Sequence, residues 1–139
     1  MSEPICILET QEELESLTRE WQHCLFLDHW FISVRFHEPD EFPDEAGHNS
    51  FCHESMFCEI SLVRPKKEDL DKYIVKFCHE LTLVHELLHL YINWLNPPDS
   101  CEGMYMDTLE HRLVHKLAMA MVCAKYGIDR SWFKGKDTI

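Results

Sequence analysis

The sequence predicts an α+β domain, in which a small, mostly antiparallel sheet packs on helices. Two observations predict this class. Three segments carry apolar side chains at the three- and four-residue spacing of amphipathic helices, and the segments between the first two have the aromatic and β-branched composition of strands. The 139 residues, 45% of them apolar, are enough for one core. We therefore expect a single domain spanning residues 1–139.

An N-terminal helix is predicted first. Thr10 is followed by acidic residues, and Glu13 stands three positions later, as in a capping box. Helical spacing then predicts about four turns. The apolar residues at this spacing are Leu14, Leu17, Trp21, Cys24 and Leu25.

Strands are predicted next. Residues 30–36 are aromatic and β-branched, and Phe57 to Val63 form a second such run that Pro65 closes. Residues 37–50 hold two prolines, a glycine and five acids, which predicts a loop, and residues 51–56 are a weaker strand candidate.

Two longer helices complete the prediction. One follows Lys66 to Asp69 and keeps an apolar face until Asn96, Pro97 and Pro98 stop it. The other runs from about Met104 to Tyr126, where Gly127 ends it. The short connection between them predicts antiparallel packing.

Charge and cysteine usage narrow the function classes. Thirteen basic and twenty-five acidic side chains give a net charge of −12, which disfavours nucleic acid as a partner. Seven cysteines lack the paired spacing of a secreted scaffold, and neither a signal peptide nor a membrane-spanning run is visible. We expect a soluble, cytoplasmic protein without a membrane partner.

The most informative motif is His85-Glu86-Leu87-Leu88-His89. Two histidines four residues apart on a helix point the same way and can bind one metal ion, and a glutamate beside the first completes the arrangement of zinc hydrolases. His85 lies on an apolar helical face, where an imidazole needs a partner. The alternative is a pair of core histidines that bond to backbone carbonyls.

A third ligand is expected from another element, because a catalytic zinc takes three protein ligands and one open position. Glu110 lies within an otherwise apolar stripe of the last helix, and antiparallel packing would bring it to His85 and His89. Two alternatives stay open. Glu110 could reach solvent at the edge of the stripe, or His111 or His115, about 100° to 140° away around the helix, could replace it or build another site.

With these residues, the chain resembles the zincin metallopeptidases of the gluzincin type, including the small intracellular or phage-borne ImmA/IrrE-like peptidases. The resemblance covers residues 57–126 and implies a minimal zincin-like domain with an active-site helix and a second ligand-bearing helix. It implies that His85, His89 and Glu110 bind zinc and that Glu86 is the general base. It also implies that Phe57 to Val63 form the edge that binds an extended peptide substrate.

One departure from the family concerns the residue that orients a ligand histidine. Gluzincins often carry an acid four residues after the ligand glutamate, where this chain has Val114, and Asp107 is a possible replacement. The sequence also leaves open which residue stabilises the carbonyl oxygen of the substrate during hydrolysis, and four residues are candidates. These candidates are Tyr91, Tyr105, His111 and His115.

The sequence thus predicts a zinc-dependent metalloendopeptidase that acts on a peptide or protein. The alternative is an acidic regulatory or inhibitory binding protein on a zincin scaffold, without peptidase activity. A weaker hypothesis is a second metal site built from His48, Cys52, His53 and Cys58.

Overall fold

Three strands form a mixed sheet in a computed structural model that describes residues 2–73, 75–92 and 101–134. The side chains of residues 72 and 101–108 lie outside this description. The strands are β1 (Phe31–His37), β2 (Gly47–Cys52) and β3 (Phe57–Val63). The helices are α1 (Gln11–Cys24), α2 (His79–Ile92) and α3 (Cys101–Tyr126). The α+β class is therefore confirmed.

The prediction of a mostly antiparallel sheet is wrong. The strand order is β1-β3-β2, and β3 pairs antiparallel with β2 but parallel with β1. The chain leaves β1 at His37 and crosses the end of β3, where the Val63 amide donates to the carbonyl of Ala46. It therefore enters β2 on the far side of β3.

The central position of β3 also changes the expected substrate edge. Phe57–Val63 has a strand on both sides, so it offers no free edge to a peptide. The antiparallel neighbour of β3 is β2, which was predicted as loop up to residue 50. Its sequence, Gly-His-Asn-Ser-Phe-Cys, has no β-branched residue, so composition did not identify it.

One face of the sheet forms the core with α1 and α2. Alternate strand residues are buried on this face, as the pleat requires. They are Ile32, Val34, Cys58, Ile60 and Leu62. The predicted capping box of α1 is confirmed, since the Glu13 amide donates to Thr10 Oγ1 and the Glu13 carboxylate accepts from the Thr10 amide.

Helix α2 begins at His79, well after the predicted start near residue 70. Residues 67–72 form a 3-10 helix instead, and the segment after it pairs with residues 133 and 134. The Lys76 amide donates to the Phe133 carbonyl, and Val75 forms an isolated bridge with Lys134. Tertiary pairing thus overrides helical spacing in this segment. The predicted stop at residues 96–98 lies outside the described residues.

Two parts of the chain, the N-terminal segment and the end of β3, form hydrogen bonds with the start of α2. The N-terminal segment supplies acceptors for its first amides, since His79 donates to the Cys6 carbonyl and Glu80 to the Ile5 carbonyl. His79 Nδ1 accepts from the Leu8 amide, so its Nε2–H donates to the Val63 carbonyl at 2.8 Å. The first turn is therefore tied to the sheet.

Helix α3 ends as predicted. It stops at Tyr126, and Gly127 adopts a positive φ of 65° while the Ile128 amide donates to the Cys123 carbonyl. None of the described helices combines the length and the apolar character needed to cross a membrane.

Candidate metal centre

The two histidines of the α2 motif turn toward the same point. Their Nε2 atoms are 3.3 Å apart, and both side chains line a cavity of about 530 Å³. His85 is half-buried and His89 is buried. Helical geometry accounts for this shared direction, because residues four apart lie on one face.

A third imidazole comes from α3. The metal-binding atoms of His85, His89 and His111 all lie within 4.8 Å of one another. The ring centroids of His89 and His111 are 4.9 Å apart. His89 contacts Glu110, near the start of the described α3 side chains, whereas the earlier residue His85 reaches His115, further along α3. The two helices therefore run antiparallel, as expected.

Glu110 occupies a different position from that expected for a ligand. Its side chain is buried, and its Oε2 lies 2.5 Å from His89 Nδ1. A carboxylate there accepts a hydrogen bond from Nδ1–H, which leaves the lone pair of His89 on Nε2, directed at the other imidazoles. Glu110 therefore contacts His89 on the side away from its Nε2 atom. The side chain of Asp107, which was considered as the acid that orients a ligand histidine, is outside the description.

The spacing of two of the three donors fits a zinc ion. With Zn–N bonds of about 2.0–2.1 Å and tetrahedral angles, two ligand nitrogens are separated by about 3.3–3.4 Å. The Nε2 atoms of His85 and His89 already have a spacing of 3.3 Å. Burial and the neighbouring histidines lower the pKa of His85 to about 4, so its imidazole is neutral at pH 7, as a metal ligand must be.

Glu86 lies in the wall of the same cavity, one helical position after His85. The residue is 7% exposed, and burial raises the pKa of its carboxyl to about 7 against the lowering effect of a hydrogen bond from Asn49. That hydrogen bond runs from Asn49 Nδ2 to Glu86 Oε1. Asn49 was missed in the sequence, because a lone asparagine in a presumed loop gives no signal.

The cavity lies between four parts of the chain. Residues 45–49 form one side, and Tyr73 with residues 75–78 forms another. Helix α2 and the described side chains of α3 supply the remainder, including His115. The site is therefore a cleft between β2 and the two helices.

The structure reduces the number of residues that could stabilise the carbonyl oxygen of a substrate. The Tyr91 hydroxyl donates to the backbone carbonyl of Leu25, and Tyr91 does not line the cavity. Since the side chain of Tyr105 is not described and His111 belongs to the imidazole group, His115 is the candidate that the cavity favours.

The hypothesis of a second metal site gains no support. Cys58 is fully buried in the core, while His53 packs edge-on against the rings of Trp30 and Phe51. Within the described ranges, three donors come close enough together to bind one metal ion at His85, His89 and His111.

Comparison of the chain with protein-family models, with curated proteins and with solved structures finds no match.

Proposed function

We propose that the chain is a zinc-dependent metallopeptidase in which His85, His89 and His111 bind the metal and Glu86 is the general base. The observation that carries this proposal is the group of three imidazoles, with donor atoms within 4.8 Å of one another, in a cavity that a buried glutamate shares. Three ligands leave a fourth position for water or substrate. The resemblance to zincins suggests peptides as the substrate class.

The roles of the surrounding residues follow from their contacts. Glu110 accepts a hydrogen bond from His89 Nδ1–H and so maintains the tautomer that binds a metal through Nε2. A bound zinc would supply Lewis-acid chemistry, lowering the pKa of a water molecule and polarising a peptide carbonyl. Glu86 accepts the proton of the attacking water and passes it to the leaving amine.

The outer edge of β2 is the part of the sheet that suits an extended substrate. β2 pairs with β3 along one edge only in the described part of the chain, and residues 45–49 line the cavity. A peptide that added to this edge would run beside Glu86. This strand takes over the role that the resemblance assigned to Phe57–Val63.

The test is cleavage of denatured casein by the zinc-loaded chain, with the products identified by mass spectrometry. We expect Glu86→Gln to keep one zinc per chain and to lose about 100-fold or more in rate. Glu59→Gln is the matched control, because Glu59 is an exposed strand residue that pairs with Arg35 and does not line the cavity. A fully active Glu86→Gln variant would rule out Glu86 as the base, and a zinc-loaded wild type that cleaves nothing would rule out the peptidase.

A second candidate function is binding of a basic partner without hydrolysis. The observation that favours it is the outer sheet face, where Phe31 and Phe57 stack at 5.5 Å and are 68% and 40% exposed, on a chain of net charge −12. A defined partner that binds Glu86→Gln and His85→Ala as tightly as wild type, but not Phe31→Ser, would favour this function.

A further inference from the structure

Two residues of β2 meet the carboxylate of Glu86 from the same side. Gly47 and Asn49 are two positions apart on one strand, so they face the same way, toward α2. Their strand is paired in register with β3, where Gly47 lies opposite Leu62 and Asn49 opposite Ile60. Both of these partners are fully buried, so the strand that carries Asn49 is anchored in the core.

Each carboxylate oxygen of Glu86 has a separate neighbour on this strand. The amide of Asn49 donates to Oε1. A Cβ atom at Gly47 would lie 2.9 Å from Oε2 and 2.6 Å from Thr82 Cγ2, so the absence of a side chain there makes room for the second oxygen. A carboxylate with one oxygen held by a donated hydrogen bond, and with room for the other oxygen only because residue 47 is glycine, has a restricted orientation.

We propose that Asn49 is a positioning residue that orients Glu86 for proton transfer, while Gly47 keeps open the place of the second oxygen. Because Oε1 accepts from Asn49, Oε2 is the oxygen that takes the proton from water. The inference rests on the proposed function for its catalytic part. Its geometric part, the direction of the Glu86 carboxylate, stands without any activity.

The variants for the test are Asn49→Asp, which replaces the donor by an acceptor of the same shape, and Asn49→Ala, which removes it. Ser33→Asp is the matched control, since it adds the same charge on the exposed face of β1, away from the cavity. Thermal unfolding and zinc content come first, because Asn49 contacts no metal ligand and each folded variant should still bind one zinc.

The first readout is a crystal structure of Asn49→Ala beside one of the wild type, both without metal. We expect the Glu86 carboxylate to rotate away from its position beside Gly47. An unchanged carboxylate would overturn the inference. This readout is independent of peptidase activity, so it decides the geometric claim even where the proposed function fails.

The second readout is the steady-state kinetics of casein-derived peptides with the zinc-loaded chains. A misdirected base lowers kcat and leaves substrate binding alone, so we expect kcat of Asn49→Asp to fall on the order of tenfold or more at unchanged KM. The Ser33→Asp variant should retain the wild-type kcat. An equal loss in Ser33→Asp, or a wild-type kcat in both Asn49 variants, would overturn the inference.

Discussion

A histidine that binds a metal uses one ring nitrogen, and the partner of the other nitrogen decides which one is free. In this chain the carboxylate of Glu110 takes the Nδ1 side of His89, and the Nε2 side faces His85. Glu110 would therefore act on the proposed metal centre through His89. The third donor is the next residue along the helix, His111.

This arrangement gives Glu110 and His111, which are neighbours on α3, different roles in metal binding. We expect Glu110→Ala to weaken zinc binding by about 10- to 100-fold, as loss of an outer hydrogen-bond partner does, and His111→Ala to weaken it more. Competition with a chromophoric chelator measures both dissociation constants. His115→Ala is the control, because His115 lines the cavity outside the group of three and should leave the affinity unchanged.

The opposite order of effects would restore the ligand set predicted from the sequence. If Glu110→Ala abolished zinc binding while His111→Ala bound zinc like wild type, Glu110 would be the ligand.

Local geometry explains which site residues could be predicted. The motif on α2 needs only the helical repeat, so the common direction of His85 and His89 follows from spacing. The burial of Glu110 followed from its apolar stripe and is confirmed. Whether its carboxylate meets a metal or an imidazole depends on ångström-scale helix packing, which spacing around one helix does not contain. The same holds for the approach of His111.

At the scale of elements, the position of α2 depends on one buried carboxylate. Glu80 is fully buried and accepts hydrogen bonds from all parts packed around the helix start. The donors are the Ile5 amide, Trp21 Nε1, Lys125 Nζ and the Tyr126 hydroxyl. The N-terminal segment, α1 and α3 are therefore joined through the first turn of the helix that carries His85 and His89.

We expect Glu80→Gln to lower the free energy of unfolding by about 1.5–3 kcal/mol at pH 7, the range for hydrogen bonds to a charged group. The hydrogen bonds from Lys125, Tyr126 and their neighbours outweigh burial and lower the pKa of Glu80 in the folded chain. Its contribution is thus complete above the unfolded pKa of about 4.3 and is lost as the pH falls through the lower folded value.

The difference between wild type and Glu80→Gln should therefore be constant from pH 7 to about 5 and shrink below about 4.3. Urea unfolding at several pH values measures it. Glu20→Gln is the control, because Glu20 pairs with the same Lys125 at 3.1 Å but is half exposed, and such pairs contribute about 0–1 kcal/mol. A difference that grew as the pH fell would contradict this role.

Elements were predictable where their signals are local. The capping box of α1, the strand at Phe57–Val63 and the glycine after α3 agree with the structure. The start of α2 could not be predicted, because the amides of its first turn depend on acceptors more than 70 residues away in the N-terminal segment. Strand β2 is stabilised by its pairing with β3 and its packing on α2. Its amino-acid composition gives no sign of these long-range contacts.

At the scale of the whole molecule, the proposed metal centre would join parts of the fold that are distant in sequence. Helices α2 and α3 supply the donors, and β2 supplies the residues that hold Glu86. A ligand that binds only this assembled site stabilises the folded chain. Zinc should therefore act on global stability.

We expect zinc at 100 times its dissociation constant to add about 2.7 kcal/mol and to raise Tm on the order of 10 °C. Differential scanning calorimetry with and without zinc measures the change, and a chelator should reverse it. The His85→Ala variant should show no increase. An equal increase in that variant would mean that zinc binds elsewhere.

The central claim is that His85, His89 and His111 bind one metal ion while Glu110 holds His89. The most direct measurement is a crystal structure of the zinc-loaded chain with anomalous diffraction at the zinc edge. We predict one anomalous peak bonded to the three imidazoles, with Glu110 on His89 Nδ1 and a fourth position open to solvent. A peak elsewhere, a direct bond to Glu110 in place of His111, or a shell closed by four protein ligands would contradict the account.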